Sequence, residues 1–180
     1  MKLVVGIGNP EPKYELTRHN AGFLLLDQLS LAWRIPLSSK KFQGIYGRGD
    51  WQGQEVILLK PMTYMNRSGT SVGELARFFK IEPADTVVVH DDVDVPQGKV
   101  KTRLAGGPGG HNGIRSIIAA FGSDSFPRIK LGLGRPPANW QTDAWVLGQM
   151  SDEERRMIET MVPEVCAHLL AIWKQLAALK

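Results

Sequence analysis

Residues 86–92 read Thr86-Val87-Val88-Val89-His90-Asp91-Asp92. Four β-branched residues in succession offer apolar side chains to both faces of a strand. Such a strand belongs in the middle of a sheet covered by helices on each side. The run ends on an imidazole and two carboxylates, so it delivers titratable groups to its own carboxyl end. In open α/β sheets that end, with the loops beyond it, forms the ligand crevice.

The neighbouring segments repeat the design. Lys2 to Gly8 is a second short apolar run, closed by Asn9-Pro10. Phe23, Leu26, Leu29 and Trp33 fall at helical spacing and predict a helix from Asn20 to Trp33, stopped by Ile35-Pro36. Ile45–Trp51 and Glu55–Leu59 flank Gly53 as a hairpin would. Ser68 or Ser71 is placed to cap a helix ending near Phe79. Lys99–Leu104 reads as a half-exposed strand, Asn112 to Phe121 as a helix and Arg128–Leu133 as a strand. Ser151-x-x-Glu154 is a capping box, and Pro163 within the following apolar periodicity predicts a kink or a break into two helices. Strands and helices alternate without a linker or repeat. The expectation is a single α/β domain over residues 1–180, a three-layer sandwich with a mixed, twisted sheet and helices on both faces.

Composition narrows the class. Of 180 residues 43% are hydrophobic and 22% charged, values of a folded chain rather than a disordered one. The single cysteine, Cys166, excludes an internal disulfide framework and any multi-cysteine metal site. Its place in an apolar helical pattern reads as an inert thiol. No apolar run reaches the ~18–20 residues of a membrane span, and Asn9-Pro10 ends the first run too early for a signal peptide. These features point to a soluble, cytoplasmic protein. The net charge of +4 is unevenly spread, because residues 97–135 hold Lys99, Lys101, Arg103, Arg115, Arg128, Lys130 and Arg135 against Asp124 alone. A basic stretch of this kind is the footprint of a phosphate-rich partner, although bases also solvate strand edges.

Familiar reaction motifs are missing. Gly6-Ile7-Gly8 begins like a dinucleotide fingerprint, but Glu11 stands where the third glycine belongs. Neither a P-loop nor a G-x-S-x-G elbow occurs. His90, Asp91, Asp92 and Asp94 can ligate a hard cation, without the spacing of a known site. What remains is neutral imidazole, carboxylate and several amides, a set suited to hydrolysis of an activated acyl bond. A histidine takes a proton from water, a buried aspartate fixes its tautomer, and asparagine amides hold a developing oxyanion without adding charge. Taken singly, His19, Asn66 and Asn112 read as residues at helix starts, Asn9-Pro10 as a turn and Asp91 as a strand-end cap. Their joint position at strand ends is what favours catalysis.

Six segments, in order, carry a resemblance: Val5-Gly6-Ile7-Gly8-Asn9-Pro10, Tyr14 through Thr17-Arg18-His19-Asn20-Ala21-Gly22, Lys60-Pro61 to Met65-Asn66-x-Ser68-Gly69, His90-Asp91-Asp92-x-Asp94, Gly109-Gly110-His111-Asn112-Gly113 and Arg128 to Gly134. On these the sequence resembles bacterial peptidyl-tRNA hydrolase, which cleaves the ester between peptide and tRNA. The resemblance covers about the first 135 residues. It implies that His19 is the catalytic base and Asp91 its orienting carboxylate. It places Asn9, Tyr14, Tyr64, Met65, Asn66 and Asn112 around the substrate, and Arg103 with Lys130 on the tRNA 5′-phosphate. It also implies no cofactor, no metal, a monomer, and peptidyl-tRNA as partner through its acceptor end. Two departures stand out. Glu11 replaces a frequent glycine after Asn9-Pro10, and Pro108 stiffens the glycine loop. The rival readings are an RNA-binding protein that has lost catalysis, which the joint presence of His19, Asp91 and the asparagines disfavours, and a nucleotide-dependent oxidoreductase.

Overall fold

The computed structural model describes all 180 residues. Seven strands, β1 (Lys2–Gly6), β2 (Ser39–Lys41), β3 (Gly44–Trp51), β4 (Gln54–Pro61), β5 (Thr86–Asp92), β6 (Val100–Arg103) and β7 (Arg128–Gly132), form one sheet. Their order is β2-β3-β4-β1-β5-β7-β6. β4, β1, β5 and β7 run parallel, while β2, β3 and β6 are antiparallel additions at the two edges. The sheet is therefore mixed, as its sequence implies.

Alternation along the strands builds two cores. Leu3 and Val5 of β1 and Val88 of β5 point to one face, where they pack with residues of α2 (Ser68–Phe79) and α3 (Asn112–Phe121). Val4, Val87 and Val89 point to the other, against α1 (Ala21–Trp33), α5 (Asp152–Thr160) and α6 (Val162–Ala177). This explains why residues 87–89 carry no polar side at all. Gly22 lets α1 press onto the sheet, since a Cβ there would stand 2.6 Å from the Val89 carbonyl oxygen. No helix is long and apolar enough to cross a membrane.

The chain leaves β1 toward β4 and later returns to β5 on the other side of β1, with α1 and α2 on opposite faces. The carboxyl ends of β4, β1 and β5 thus surround a switch point, where a crevice opens by geometry alone.

Some local expectations change. α1 ends before Ile35-Pro36, because Arg34 adopts a left-handed conformation and its N–H returns to the last helical carbonyls. Neither Ser68 nor Ser71 caps α2, which instead grows out of a 3-10 turn at Met65–Arg67. The Ser68 hydroxyl donates to the Met65 carbonyl at 2.7 Å. The hairpin turns at Gln52-Gly53 with both residues at positive φ, the geometry that matches strand twist. The capping box on α5 forms, and the chain breaks at Met161 so that Pro163 sits in the first turn of α6, where its missing N–H costs nothing. Cys166 packs on the core and accepts the Trp33 Nε1–H at 3.4 Å, with burial pushing its thiol up.

Candidate active site

Asp91 ends the buried part of β5 and is itself buried. Burial alone would disfavour its charge, yet two imidazoles hold it well below the ordinary carboxylate range. His19 Nδ1 donates to Oδ2 at 2.8 Å and His111 Nε2 donates to Oδ1 at 2.9 Å. The His111 tautomer follows from its other nitrogen. Nδ1 accepts the backbone N–H groups of Gly113 and Ile114 at 3.1 and 3.4 Å and so caps α3. Its one remaining proton is then on Nε2, directed at Asp91. His90, fully inside, is pushed down to about 3 by burial and by His111 beside it, and stays neutral. Its Nδ1 donates to the Asp91 carbonyl at 2.7 Å, fixing the backbone as His19 and His111 fix the side chain.

With Nδ1–H given to Asp91, His19 keeps a free lone pair on Nε2, the form a general base requires. Burial opposes a charge on this ring, but the Asp91 carboxylate, its hydrogen bond and the charge of Asp143 outweigh burial and raise the imidazole above its ordinary value.

Asn20 leaves α1 uncapped because its amide is committed elsewhere. It accepts the Asn9 N–H at 2.8 Å and donates to the Asn9 carbonyl at 2.9 Å. Asn9 Oδ1 in turn accepts the Met65 N–H at 2.7 Å, which turns the amide so that its two Nδ2–H donors remain for a ligand. These bonds tie the segments after β1 and β4 to the start of α1. A further tie comes from far along the chain. Arg18, next to His19, makes a bidentate pair with Glu154 at 2.9 and 3.0 Å and donates to the Trp145 carbonyl at 3.1 Å. Its guanidinium also lies 3.4 Å from the centroid of the Trp145 ring. This clamp holds the exposed helix α4 (Thr142–Val146) over the site.

His19 stands between two clefts. One, of about 730 Å³, is lined by Asn9, Tyr64, Met65, Asn66, Asn112 and Leu147. The other, of about 420 Å³, is lined by His90, Asp91, Lys101, Arg103, Arg128 and Lys130 and by the glycine loop. His19, Asn112, Asp143 and Val146 belong to both. Tyr14 lines neither, and its ring lies under Lys13 on the loop outside. Glu11 accepts the Tyr64 hydroxyl at the mouth of the first cleft, so the departure from glycine braces this loop.

The second cleft owes its charge to register. Lys101 faces Lys130 and Arg103 faces Arg128 across the antiparallel β6–β7 pair, which puts all four side chains on one face. Arg128 is buried and donates to the carbonyls of Phe126, Gly107 and Asp124 at 2.9–3.0 Å. Burial and the neighbouring Arg103 push it down to about 10, still cationic. Among the strand-end acids, Asp92 turns to Lys130 at 3.5 Å and Asp94 to Arg135 at 2.6 Å. His90, Asp91, Asp92 and Asp94 therefore do not converge on a cation. His19, Asp91 and His111 do converge, with one potential ligand atom each within 4.8 Å of the others, but the hydrogen bonds among them already use those atoms.

A family model described as peptidyl-tRNA hydrolase matches residues 3–179. The chain belongs to the peptidyl-tRNA hydrolase family. A peptidyl-tRNA hydrolase of Bacillus cereus is 48% identical over 86% of this chain and 83% of its own. One of Symbiobacterium thermophilum is 44% identical over 90% and 87%. The crystal structure of the Acinetobacter baumannii peptidyl-tRNA hydrolase superposes with a TM-score of 0.85 at 36% identity, covering 98% of this chain and 94% of that one.

Four further residues lie at the clefts without having stood out singly in the sequence. His111 was legible only as part of a motif, and its double bond to Asp91 and to the α3 amides needs three dimensions. Lys101 and Arg128 carried a signal in the two-residue alternation with Arg103 and Lys130. Asp143 gave none, since α4 is five exposed or half-buried residues without periodicity.

Proposed function

We propose that the protein hydrolyses the ester linking a peptide to the 3′ end of tRNA, releasing peptide and free tRNA, without a metal. The observation that carries this reading is the position of His19 at the junction of an amide-lined cleft and a basic one. A peptidyl-tRNA has its scissile ester at the junction of a peptide and a polyphosphate.

His19 Nε2 takes a proton from water as the water oxygen attacks the ester carbonyl carbon. The C–O bond to the terminal ribose then breaks, and the imidazolium returns its proton to the leaving 3′-oxygen. Asp91 steadies the imidazolium and keeps Nε2 directed outward. The free donors of Asn9, with Asn66 and Asn112, hold the peptide backbone and the oxyanion. Met65 and Tyr64 line the peptide side. Arg103 and Lys130 receive the tRNA 5′-phosphate, and reading by charge and shape lets many tRNAs enter. The chain acts as one cytoplasmic, monomeric unit. The mutual use of ligand atoms by His19, Asp91 and His111 supports action without a bound cation.

The test compares N-acetyl-aminoacyl-tRNA with free aminoacyl-tRNA, for wild type and His19→Ala, with and without chelator. Hydrolysis of the acetylated substrate only, lost in the variant and insensitive to chelator, is expected. Near wild-type turnover by a folded His19→Ala protein would refute the mechanism.

A further inference from the structure

A third depression, of about 600 Å³, runs between α2 and α3 and shares Asn66 and Asn112 with the peptide cleft. The two helices approach through small residues in parallel register. Gly69 is so close to α3 that a Cβ there would stand 2.1 Å from the Ser116 carbonyl oxygen. Ala119 and Ala120 continue the lining, which keeps the channel open above the contact. Its charged side chains are Arg77, Arg115 and Glu74. No carboxylate pairs with either arginine: Arg115 donates only to the Asn112 amide oxygen, at 3.3 Å, and Glu74 accepts from Gln43 at 2.8 Å. Arg77 folds back along α2, with its guanidinium 3.2 Å from where a Gly73 Cβ would be.

We propose that this groove holds the part of the substrate peptide lying upstream of the ester-linked residue, and that Arg77 and Arg115 make it favour acidic side chains there. The inference rests on the hydrolytic reading above and names the distal peptide as the occupant, because the groove continues the peptide cleft through the two asparagines. Distance sets the position. From Asn66 to Gly73 is about 10 Å along the helix at 1.5 Å per residue, a span covered by about three extended peptide residues. Residues four and five from the ester lie within reach of Arg77, while a single acylated residue does not enter.

The experiment measures kcat/KM on N-acetyl-aminoacyl-tRNA and on two hexapeptidyl-tRNAs carrying Glu or Lys at positions four and five. The enzymes are wild type, Arg77→Glu and Ala119→Glu, the last placing a carboxylate one turn from Arg115. Wild type should favour the Glu peptide by about threefold, the scale of an exposed ion pair, mainly through KM. Arg77→Glu should reverse the preference and Ala119→Glu should weaken it. Both residues are exposed, and both variants should turn over the one-residue substrate at the wild-type rate. Equal treatment of the two hexapeptides by wild type, or equal effects of the variants on one-residue and six-residue substrates, would overturn the groove assignment. Failure of wild type on the one-residue substrate would instead overturn the hydrolytic reading and this inference with it.

Discussion

His111 performs two tasks with one ring, and a pair of substitutions separates them. His111→Ala removes the cap on Gly113 and Ile114 and the bond to Asp91 Oδ1 together. His111→Asn keeps a short side chain well suited to capping but too short to reach Asp91. Losing a hydrogen bond to a buried carboxylate costs about 1.5–3 kcal/mol. Losing a cap costs roughly 1 kcal/mol. The ring is only 10% exposed and its partner 3%, so solvent screening discounts these figures little. Urea unfolding should therefore place His111→Asn about 2 kcal/mol below wild type and His111→Ala roughly a further 1 kcal/mol below that. Catalysis should fall equally in the two, because both leave Asp91 held by His19 alone. A transition-state loss near 1.4 kcal/mol would appear as a drop in kcat of about tenfold on N-acetyl-aminoacyl-tRNA. Two variants of equal stability would show that the ring does not cap α3. Undiminished kcat in both would show that His111 does not position Asp91.

Other expectations follow from charge and burial. His19 must be neutral to act as a base and its folded value is raised, so kcat/KM should climb with pH through a midpoint above the ordinary 6.5. Asp143→Asn should move that limb to lower pH, and an unmoved profile would dissociate Asp143 from the reaction. The same raised value stabilises the fold fully below the unfolded pKa and is lost as pH rises through the folded one. Asp91→Asn should therefore flatten the fall in Tm across that range; an unchanged slope would mean another group sets it. Arg128→Lys cannot reproduce three carbonyl contacts from one fork and should cost about 2 kcal/mol, whereas exposed Arg103→Gln should stay within about 0.5 kcal/mol. For tRNA binding the order reverses: Arg103→Gln should lower the slope of log K against log salt by about one. An unaltered slope would remove Arg103 from the phosphate contact.

The parts that could be read from sequence are those where one local cause decides the outcome. Residues 87–89 have no polar face, so no position but the middle of the sheet suits them. Asn112–Phe121 matches its predicted bounds because Ile114 and Ile117 bury on one side and Gly122 stops the helix in a left-handed turn. Pro163 breaks the last helical stretch as proline chemistry requires. The parts that escaped depend on a distant partner. β2 is three residues, Ser39–Lys41, that become a strand only by pairing with β3. Asn20, at the start of the predicted helix, spends its amide on Asn9. Ser71 resembles a cap and is buried with its hydroxyl unpartnered. The pair proposed as catalytic, His19 and Asp91, stood out because it sits in sequence motifs at strand and helix ends. Its surroundings did not, since register and tertiary bonds assemble them.

The clamp between Arg18 and Glu154 has a consequence in time. The two residues are 136 positions apart, and the backbone around them is joined as well, through Arg18 N–H to the Gly148 carbonyl and Met150 N–H to the Leu16 carbonyl. A chain emerging from the ribosome through residue 135 already contains His19, Asp91, His111 and every asparagine proposed to touch substrate. It still lacks α4 over the cleft and the carboxylate that anchors the arginine beside the base. Such a chain is itself an ester of tRNA. Its own site is completed only by residues 142–154, so assembly of the hydrolytic machinery lags behind synthesis of the parts that would perform it.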